Sequence, residues 1–488
     1  MLSFHGLIIV ISILMLVCVF ANKVLTRFGV PILILFIGAG MLLGSEGIFG
    51  VYFDNPNMTH EIGNIALCFI IFYGGMELNW KATKPVLGSG ILLSTVGVVL
   101  STLLTGAAAH FIMGISYPNG FLLGAILSST DAASIFSTLK SQKLKLKGGV
   151  APLLEFESGS NDPMAYMLTI ALIGIIQKPE DGIAVYLIML LKEIGFGAVI
   201  GVALGFGTVY LLNHVHFNIE SMYFIVGLAL MMCTYSISSF IEANSFLAVF
   251  IAGIIIGNST LVRKFRLIRF FDEQSWLAQI ILFLTLGLQV FPSRLLPVVP
   301  KGIAVAAILI FVIRPLAIMP ILSLFKMPVR QQLFVSFAGF RGAASIVFAT
   351  YPLTAGLPVA QDIFDMVFFI SIASILLQGT CLKPVAKRLH LVEEESDAFA
   401  MQDFNLYSDE LSDMPVLGVF VPESSPAVGK AIRELGLPED VRIVAIKRKN
   451  DYAMPKGSAV IETGDRMLLT SPSEEDLAVI CTALQFDS

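Results

Sequence analysis

The sequence predicts an all-α polytopic membrane protein of about thirteen transmembrane helices, followed by a small α+β cytoplasmic domain. Of the 488 residues, 56% are hydrophobic and 14% are charged, a balance that repeated bilayer spans require and a soluble core does not. Apolar runs of near-bilayer length follow one another as far as residue 380. Beyond residue 390 the composition becomes polar and acidic, which indicates a change from membrane to water.

The apolar runs predict the spans one by one. They cover residues 6–22, 29–44, 62–78, 88–113, 119–138, 150–176, 184–212, 222–241, 245–259, 276–291, 302–325, 331–352 and 362–380. The first run lacks a basic leader and a small-residue cleavage pattern, so we interpret it as a span and not as a removable signal peptide.

Basic residues cluster in every second connection between the runs. The clusters are Lys23 and Arg27; Lys81 and Lys84; Lys140, Lys143, Lys145 and Lys147; Arg263, Lys264, Arg266 and Arg269; Lys326 and Arg330; Lys383, Lys387 and Arg388. The positive-inside rule therefore predicts that these loops and the C-terminal tail are cytoplasmic, and an odd number of helices places the N-terminus outside.

Two segments of the chain resemble each other. "STDAASIFST" at 129–138 and "FRGAASIVFAT" at 340–350 share AASI at positions that lie 211 residues apart. Because an odd number of predicted helices separates them, the two copies run through the membrane in opposite directions. This is the geometry of an inverted-topology repeat.

Cysteine usage and charge exclude several classes of protein. The five cysteines are scattered without CxxC or Cys/His ligand spacing, so neither a disulfide framework nor a zinc site is indicated. After residue 390 the chain holds 8 Lys and Arg against 19 Asp and Glu. Nucleic acid and anionic lipid both need basic patches, so no nucleic-acid partner is expected for this tail.

Ionisable residues inside apolar runs are the strongest functional signal. Each costs roughly 2.5 to 3.5 kcal/mol at the centre of a span, so each needs a partner or a function. The group comprises Glu77, Asp131, Glu157, Asp162, Arg314 and Arg341. One interpretation is structural, with Glu77 paired to Arg341 and with Arg314 in a similar bridge. Glu155 and Glu193 lie near helix ends or near Lys192, which favours local pairing.

Asp162 has neighbours that suit a cation. Hard oxygen ligands surround it in "ESGSNDP", and Gly159 and Pro163 are expected to weaken the helix and free backbone carbonyls. Thr130 and Asp131 stand beside small residues and are expected on a second broken helix. Burial weakens the preference of a carboxylate for its charged form. A site at which a proton and a monovalent cation compete is the site of an exchanger.

At this point "STD", "ESGSNDP" and "FRGAAS", on the predicted fifth, sixth and twelfth helices, resemble the signature motifs of the monovalent cation/proton antiporter superfamily, NhaP-like branch. The resemblance covers residues 1 to about 390. It implies thirteen helices in two inverted repeats, a core domain of broken crossing helices, a dimerisation domain and a homodimer in a bacterial inner membrane.

The same resemblance implies roles for individual residues. Asp162 would carry both the cation and the proton, with Asn161 as its partner in an Asn-Asp pair typical of electroneutral members. The cation site would be lined by Thr130, Asp131, Ser158 and Glu157. Glu77 and Arg341 would form a bridge that braces the core, and Arg314 matches a family arginine in the eleventh helix. The role of Glu155 stays open.

The tail predicts an acidic linker over 391–412 and a β-α-β-β-β-α domain over 413–488, after a transmembrane exchanger domain over 1–390. The predicted elements of the domain are "VLGVFV", a helix from Ser425 to Leu435, "VRIVAIKR", "SAVIE", "DRMLLTS" and a closing helix from about Glu474. The basic run Lys447, Arg448 and Lys449 is interpreted either as a solvated strand end or as a contact for a phosphate.

"VPESSPAVGKAI" and "ETGDRMLL" make this domain similar to the regulatory TrkA-C domain. That resemblance implies regulation, favours K⁺ over Na⁺ as the exchanged ion, and leaves a nucleotide effector open. No GxGxxG follows a strand, so no nucleotide-binding fold and no bound cofactor are expected.

Three other functions compete with exchange. A cation channel gated by the C-terminal domain is the strongest, but channels use continuous rings of ligands, whereas one buried acid between broken helices suits alternating access. Asp131 and Asp162 could form the dyad of an intramembrane aspartyl protease, yet its expected motifs are absent. The third is a serine hydrolase, but Ser158 and Ser160 stand outside the G-x-S-x-G motif that such an enzyme would be expected to show. We therefore expect a transporter and not an enzyme.

Overall fold

The computed structural model describes residues 4–25, 33–131, 146–215, 217, 219, 221–261, 263–392, 416–438, 440–448, 451–471 and 484. The chain forms two compact units, Met1–Val392 and Glu393–Ser488, and each is described by itself. Most of the predicted linker, from residue 393 to residue 412, lies outside the described residues.

The regular elements of the described part of the first unit are helices. Its first seven helices are α1 (Phe4–Leu25), α2 (Leu33–Leu43), α3 (Pro56–Glu77), α4 (Trp80–Met113), α5 (Tyr117–Ile126), α6 (Val150–Gln177) and α7 (Ile183–His214). The next seven are α8 (Ser221–Phe240), α9 (Ser245–Asn258), α10 (Lys264–Gln289), α11 (Pro292–Leu324), α12 (Val329–Phe337), α13 (Ala343–Thr354) and α14 (Ala360–Arg388).

Five of these helices, α4, α7, α8, α11 and α14, are long and apolar enough to cross a membrane. The predicted polytopic, all-helical membrane fold is therefore confirmed. The total of thirteen spans stays a prediction, because residues 132–145 lie outside the described residues.

Two of the apolar runs predicted as spans, 119–138 and 331–352, contain non-helical backbone, and these two interruptions of the predicted spans meet. After α5 the chain is non-helical as far as Asp131, and between α12 and α13 residues 338–342 are non-helical. The backbone N–H of Asp131 donates to the carbonyl of Phe340 over 2.9 Å. Each interruption thus supplies a partner for backbone groups that a helix would have satisfied internally. The interruption predicted at Thr130 and Asp131 is present.

The interruption predicted in the sixth helix is wrong, because α6 runs unbroken through Gly159 and Pro163. A proline removes only one backbone hydrogen bond, and tight packing holds the helix on both sides of it. A Cβ atom at Gly159 would lie 2.4 Å from the ring of Phe250 on α9. The Asn244 side chain donates to the carbonyl of Pro163 over 2.9 Å.

The helices of the first unit pack into two groups. The α3 group consists of α1, α2, α3, α7, α8, α9 and α10, and the α6 group consists of α4, α5, α6, α11, α12 and α14. Helix α13 follows α12, a member of the α6 group, in the sequence. It packs both on α14 of that group and on α3 of the other. It is therefore one of the places at which the two groups touch.

The second unit contains a four-stranded antiparallel sheet. Its strands are β1 (Val416–Phe420), β2 (Arg442–Arg448), β3 (Asp451–Ala453) and β4 (Arg466–Thr470), in the order β1-β4-β2-β3. Its apolar core includes Val419, Ile446, Ile461, Met467 and Leu469. The predicted small α+β domain has this sheet as its framework.

Two elements predicted for the second unit are wrong. The helix predicted from Ser425 to Leu435 is only the short 3-10 turn Ile432–Glu434, because Gly429 adopts a φ of 80° that ends a right-handed helix. The strand predicted at "SAVIE" makes a single bridge, Ala431 to Val460. The closing helix predicted from Glu474 lies outside the described residues.

The α3 group depends on glycines that let backbones touch. A Cβ at Gly40 of α2 would lie 2.3 Å from the carbonyl oxygen of Leu284 on α10, whereas a Cβ at Gly38 meets nothing within 4 Å. We therefore expect Gly40→Ala to lower the melting temperature of the purified protein in detergent, with a loss of about 1–3 kcal/mol from overpacking. Gly38→Ala, the matched control, should be neutral or stabilising by up to about 1 kcal/mol. Equal melting temperatures for the two variants would contradict this packing.

Candidate functional site

Helix α6 is bonded to the interruption after α5 by a pair of side chains. The amide oxygen of Asn161 accepts from the backbone N–H of Thr130 over 3.2 Å, and its nitrogen donates to the Thr130 hydroxyl over 2.6 Å. Ser158 donates to the Thr130 carbonyl over 2.5 Å and accepts from the Thr130 hydroxyl over 3.2 Å. These groups are almost fully buried, so the non-helical backbone is held without water.

Asp162 is the buried carboxylate of this region. It is 8% exposed, and its Oδ1 accepts a hydrogen bond of 2.5 Å from the Ser129 hydroxyl. Asp131 is close to the other interruption, since a Cβ at Gly342 would lie 1.9 Å from its Oδ2. Gly342 is therefore required for the Asp131 carboxylate to occupy this place.

Arg341 neutralises the carbonyl end of the interruption after α5. Its guanidinium donates to the carbonyls of Ser128 and Ser129 over 3.1 and 2.8 Å. It is 1% exposed, and its backbone N–H donates to Ser374 of α14 over 2.9 Å. A cation at the C-terminal end of a helix is favoured by the helix dipole.

The buried ion pair is not the one predicted. Arg314 binds Glu157 over 3.1 Å, and both side chains are less than 5% exposed. Glu77 lies exposed at the end of α3, while Arg341 is buried and bonded to carbonyls, so the predicted Glu77–Arg341 bridge is not formed. The apolar runs reveal that acids and bases need partners, but only the packing of α6 against α11 decides which ones meet.

The structure therefore brings most of the predicted lining residues together. Thr130, Ser158, Asn161 and Asp162 lie at the interruption after α5. Glu157 has a partner that was not predicted, because its Oε1 is paired with Arg314. Ser160 donates to the Phe156 carbonyl of its own helix over 2.5 Å, so its hydroxyl is occupied within α6.

Sequence reasoning missed Ser129 and Gly342. Ser129 directly precedes Thr130 in the "STD" motif, and its hydroxyl is bonded to the carboxylate. Its position beside two other polar residues in an apolar run was the available signal. Gly342 follows Arg341 in "FRGAAS", but nothing in the sequence shows that Asp131 would pack against it.

The groups around Asp162 have the chemistry of a site for a small monovalent cation and not that of a transition-metal site. Within the described ranges no group of three or more His, Cys, Asp or Glu side chains is arranged as metal ligands. The polar groups around Asp162 are hydroxyl, amide and carbonyl oxygens, which suit hard monovalent ions. In a site of low polarity a carboxylate is neutralised either by such an ion or by a proton.

Comparisons with known proteins agree with this geometry. Residues 10–388 match the family described as "Sodium/hydrogen exchanger, transmembrane", and residues 416–479 match the TrkA-C domain. The chain resembles the solved sodium proton antiporter MjNhaP1 of Methanocaldococcus jannaschii at pH 8 with a TM-score of 0.68 and 23% identity, over 78% of this chain and 99% of that one. That likeness supports the fold.

Sequence relatives cover both units. The K(+)/H(+) antiporter NhaP of Alkalimonas amylolytica is 36% identical over 468 residues, which is 95% of this chain and 80% of the relative. The K(+)/H(+) antiporter NhaP2 of Shewanella oneidensis is 34% identical over 466 residues, again 95% and 80%. The chain therefore belongs to the transmembrane sodium/hydrogen exchanger family, and it is a cation/proton antiporter and not a channel.

Proposed function

We propose that this protein exchanges K⁺ for H⁺ by alternating access, with one proton for each cation. The observation that carries the proposal is the single exchangeable carboxylate, Asp162, at the meeting of two interrupted helices. Its neighbour Asn161 is neutral and occupied by Thr130. Glu157 is balanced by Arg314. Only the charge of Asp162 would then change during the cycle, which makes the exchange electroneutral.

Three sets of contacts support Asp162 as the carrier. The Ser129 hydroxyl stabilises its charged form through one oxygen. Ser158 supplies a hydroxyl oxygen one helical turn before Asp162 on α6, and Thr130, bonded to Ser158 from the interruption after α5, supplies another. Asp131 adds a second carboxylate beside the other interruption, where it would attract a cation toward the site without being its carrier.

The choice of K⁺ rests on the relatives. Those that are 32–36% identical and match both units carry the name K(+)/H(+) antiporter. The Na(+)/H(+) antiporter NhaS2 of Synechocystis is more distant, at 26% identity over 81% of this chain. We infer a homodimer in a bacterial inner membrane, with the N-terminus outside and the second unit in the cytoplasm. The protein carries ions and would have no enzymatic activity.

The second unit would regulate exchange and would not transport. The basic run near the end of β2 was one candidate for a nucleotide phosphate. Arg448 is not available for it, because its guanidinium donates to both oxygens of buried Asp465, over 2.7 and 2.8 Å, and binds Glu462 as well. These bonds hold the guanidinium firmly charged, so that the pKa of Arg448 rises. An effector, nucleotide or other, would bind elsewhere on this unit.

Asp162→Asn tests the carrier assignment. The variant keeps the side-chain shape and removes the charge that both ions need, so we expect K⁺-driven proton movement in everted vesicles to fall to background. Asp365→Asn is a matched control, since Asp365 is 4% exposed on α14 and bonded to Gln361, and exchange should persist. Titration with K⁺, Na⁺ and Li⁺ in the wild type should give the strongest response to K⁺. Ion-dependent proton flux in Asp162→Asn would overturn the assignment, and a preference for Na⁺ would overturn the choice of cation.

The Glu157–Arg314 pair generates a stability prediction. Arg314→Gln leaves a buried carboxylate unpaired and should cost about 3–5 kcal/mol, whereas the double variant Glu157→Gln/Arg314→Gln should recover much of that loss. The exposed pair Arg269–Glu273, with side chains 57% and 63% exposed, serves as control and should contribute less than about 0.5 kcal/mol. Thermal unfolding in detergent would measure the coupling. Additive effects at Glu157 and Arg314 would show that the pair is energetically unimportant.

Removal of the second unit tests its regulatory role. A chain ending after Arg388 retains every helix of the first unit and should still exchange ions, with a changed dependence on pH or on a small cytoplasmic ligand. A regulator can bias two conformations only through contacts that differ between them. Exchange by truncated and full-length protein should be compared from about pH 6 to 9, beside a nucleotide-binding screen of the full-length protein. Superimposable profiles and no bound ligand would reduce the unit to a stabilising role.

A further inference from the structure

A second polar cluster lies away from Asp162, between α3 and α13. We call it the His60 cluster, and it consists of His60 and Asn64 on α3 and of Thr350 and Tyr351 on α13. Three hydrogen bonds join its side chains, and two of them cross from one helix to the other. None of these residues contacts the cation site described above.

The directions of these hydrogen bonds follow from the available protons. The Thr350 hydroxyl donates to the carbonyl of Val347 over 2.6 Å, so its oxygen accepts from Nδ1 of His60 at 3.0 Å. Tyr351 donates to Oδ1 of Asn64 over 2.8 Å, which leaves the Asn64 nitrogen as a donor to Nε2 of His60 at 3.0 Å. One imidazole nitrogen therefore donates and the other accepts, which only the neutral ring can do.

The cluster joins the two helix groups. Helix α3 belongs to the α3 group, and α13 continues from α12 of the α6 group. Beside the cluster, a Cβ at Gly63 would lie 2.9 Å from the Val347 side chain, so the two helices touch closely. Alternating access moves one group of helices against the other around the bound ion. Such a movement has to break or remake the bonds of the His60 cluster.

The cluster also reaches the helix that carries Asp162. The Tyr351 ring packs edge-on against Tyr166 of α6, with 5.5 Å between ring centroids, and against His60 with 4.3 Å. Tyr166 stands one helical turn beyond Asp162 on the same face of α6. A shift of α6 relative to α3 is therefore transmitted to the His60 cluster through two aromatic rings.

The titratable groups around His60 come from four helices. Glu61 on α3 is its charged neighbour. Tyr351 on α13, Tyr166 on α6 and Tyr235 on α8 stay neutral throughout the range in which a histidine titrates. From α10 the polar group near the start of α3 is the uncharged Gln289, which accepts from Thr59. His60 is half-buried, so a proton can reach it.

We propose that His60 is a proton-operated clasp between the two helix groups. The neutral ring holds α3 to α13 in the arrangement seen here. A proton on Nε2 replaces an acceptor by a donor that faces the Asn64 nitrogen, so this bond is lost unless the Asn64 amide turns over. The turned amide donates to the Tyr351 oxygen, and the Tyr351 hydroxyl proton then loses its acceptor, Oδ1 of Asn64. Protonation therefore leaves one donor of the clasp unsatisfied in either case, which weakens the attachment of α13 to α3.

A second polar link between the α3 group and the α6 group is not expected to respond to mild acid. Glu46, after α2, accepts from the backbone N–H of Ser293 over 2.7 Å and from its hydroxyl at the start of α11. These bonds lower the pKa of Glu46 from its ordinary value. The link therefore persists in mildly acidic solution, where a histidine becomes charged.

Hydrogen exchange of the full-length protein in lipid nanodiscs tests the clasp. After correction for the intrinsic pH dependence of exchange, we expect peptides from Pro56–Glu77 and Ala343–Thr354 to exchange about tenfold faster at pH 5.5 than at pH 8. His60→Gln should abolish this response. Tyr351→Phe, which keeps the ring and removes one bond, should exchange at pH 8 nearly as fast as the wild type does at pH 5.5.

His110→Gln is the matched control, because His110 is also half-buried but bonds a backbone carbonyl, that of Ile115 after its own helix, over 2.6 Å. It should retain the response of the wild type. An unchanged response in His60→Gln, or no response in the wild type, would overturn the clasp. The readout does not depend on which cation is carried, so it stands apart from any failure of the K⁺ assignment.

Discussion

The fold of the first unit depends on how two interrupted helices satisfy each other. Non-helical backbone inside a membrane is costly unless protein groups replace the missing helical bonds. Here the N–H of Asp131 uses the carbonyl of Phe340, and the Arg341 guanidinium uses the carbonyls of Ser128 and Ser129. Each interruption supplies what the other lacks. These mutual hydrogen bonds allow polar groups such as Thr130, Asn161 and Asp162 to be buried in an otherwise apolar interior.

Most of the charged and amide side chains beside the two interruptions have partners within the protein. Glu157 is fixed by Arg314, and Arg341 is fixed by carbonyls. The side-chain amide of Asn161 makes two hydrogen bonds with Thr130. Asp162 accepts from one hydroxyl, that of Ser129, and in the proposed mechanism a cation or a proton takes up its remaining bonding capacity. A buried pair such as Glu157–Arg314 adds little net stability, but it removes a competing acid from the site.

The polar contacts between the helix groups divide into two kinds. Asn244 bonds the Pro163 carbonyl next to Asp162, and Glu46 caps the start of α11; neither requires a neutral titratable ring. The His60 cluster does require one, and it lies in aromatic contact with α6, the helix of the proposed carrier Asp162. A protein that exchanges protons thus has a proton-dependent bond at a surface along which its helix groups meet.

The sequence by itself determined the membrane class, the motifs at the two interruptions and Asp162 as the carrier candidate, because hydropathy and rare buried charges are local signals that need no partner to be recognised. It also located β2 and β4 of the second unit through their short apolar runs. Only the tertiary structure decided that α6 stays continuous at Pro163, that Arg314 and not Glu77 belongs to a buried pair, and that Ser129 bonds the carboxylate. These outcomes depend on which helices pack together, and pairing between distant segments is settled by shape and by the need to satisfy every buried polar group, neither of which a single sequence displays.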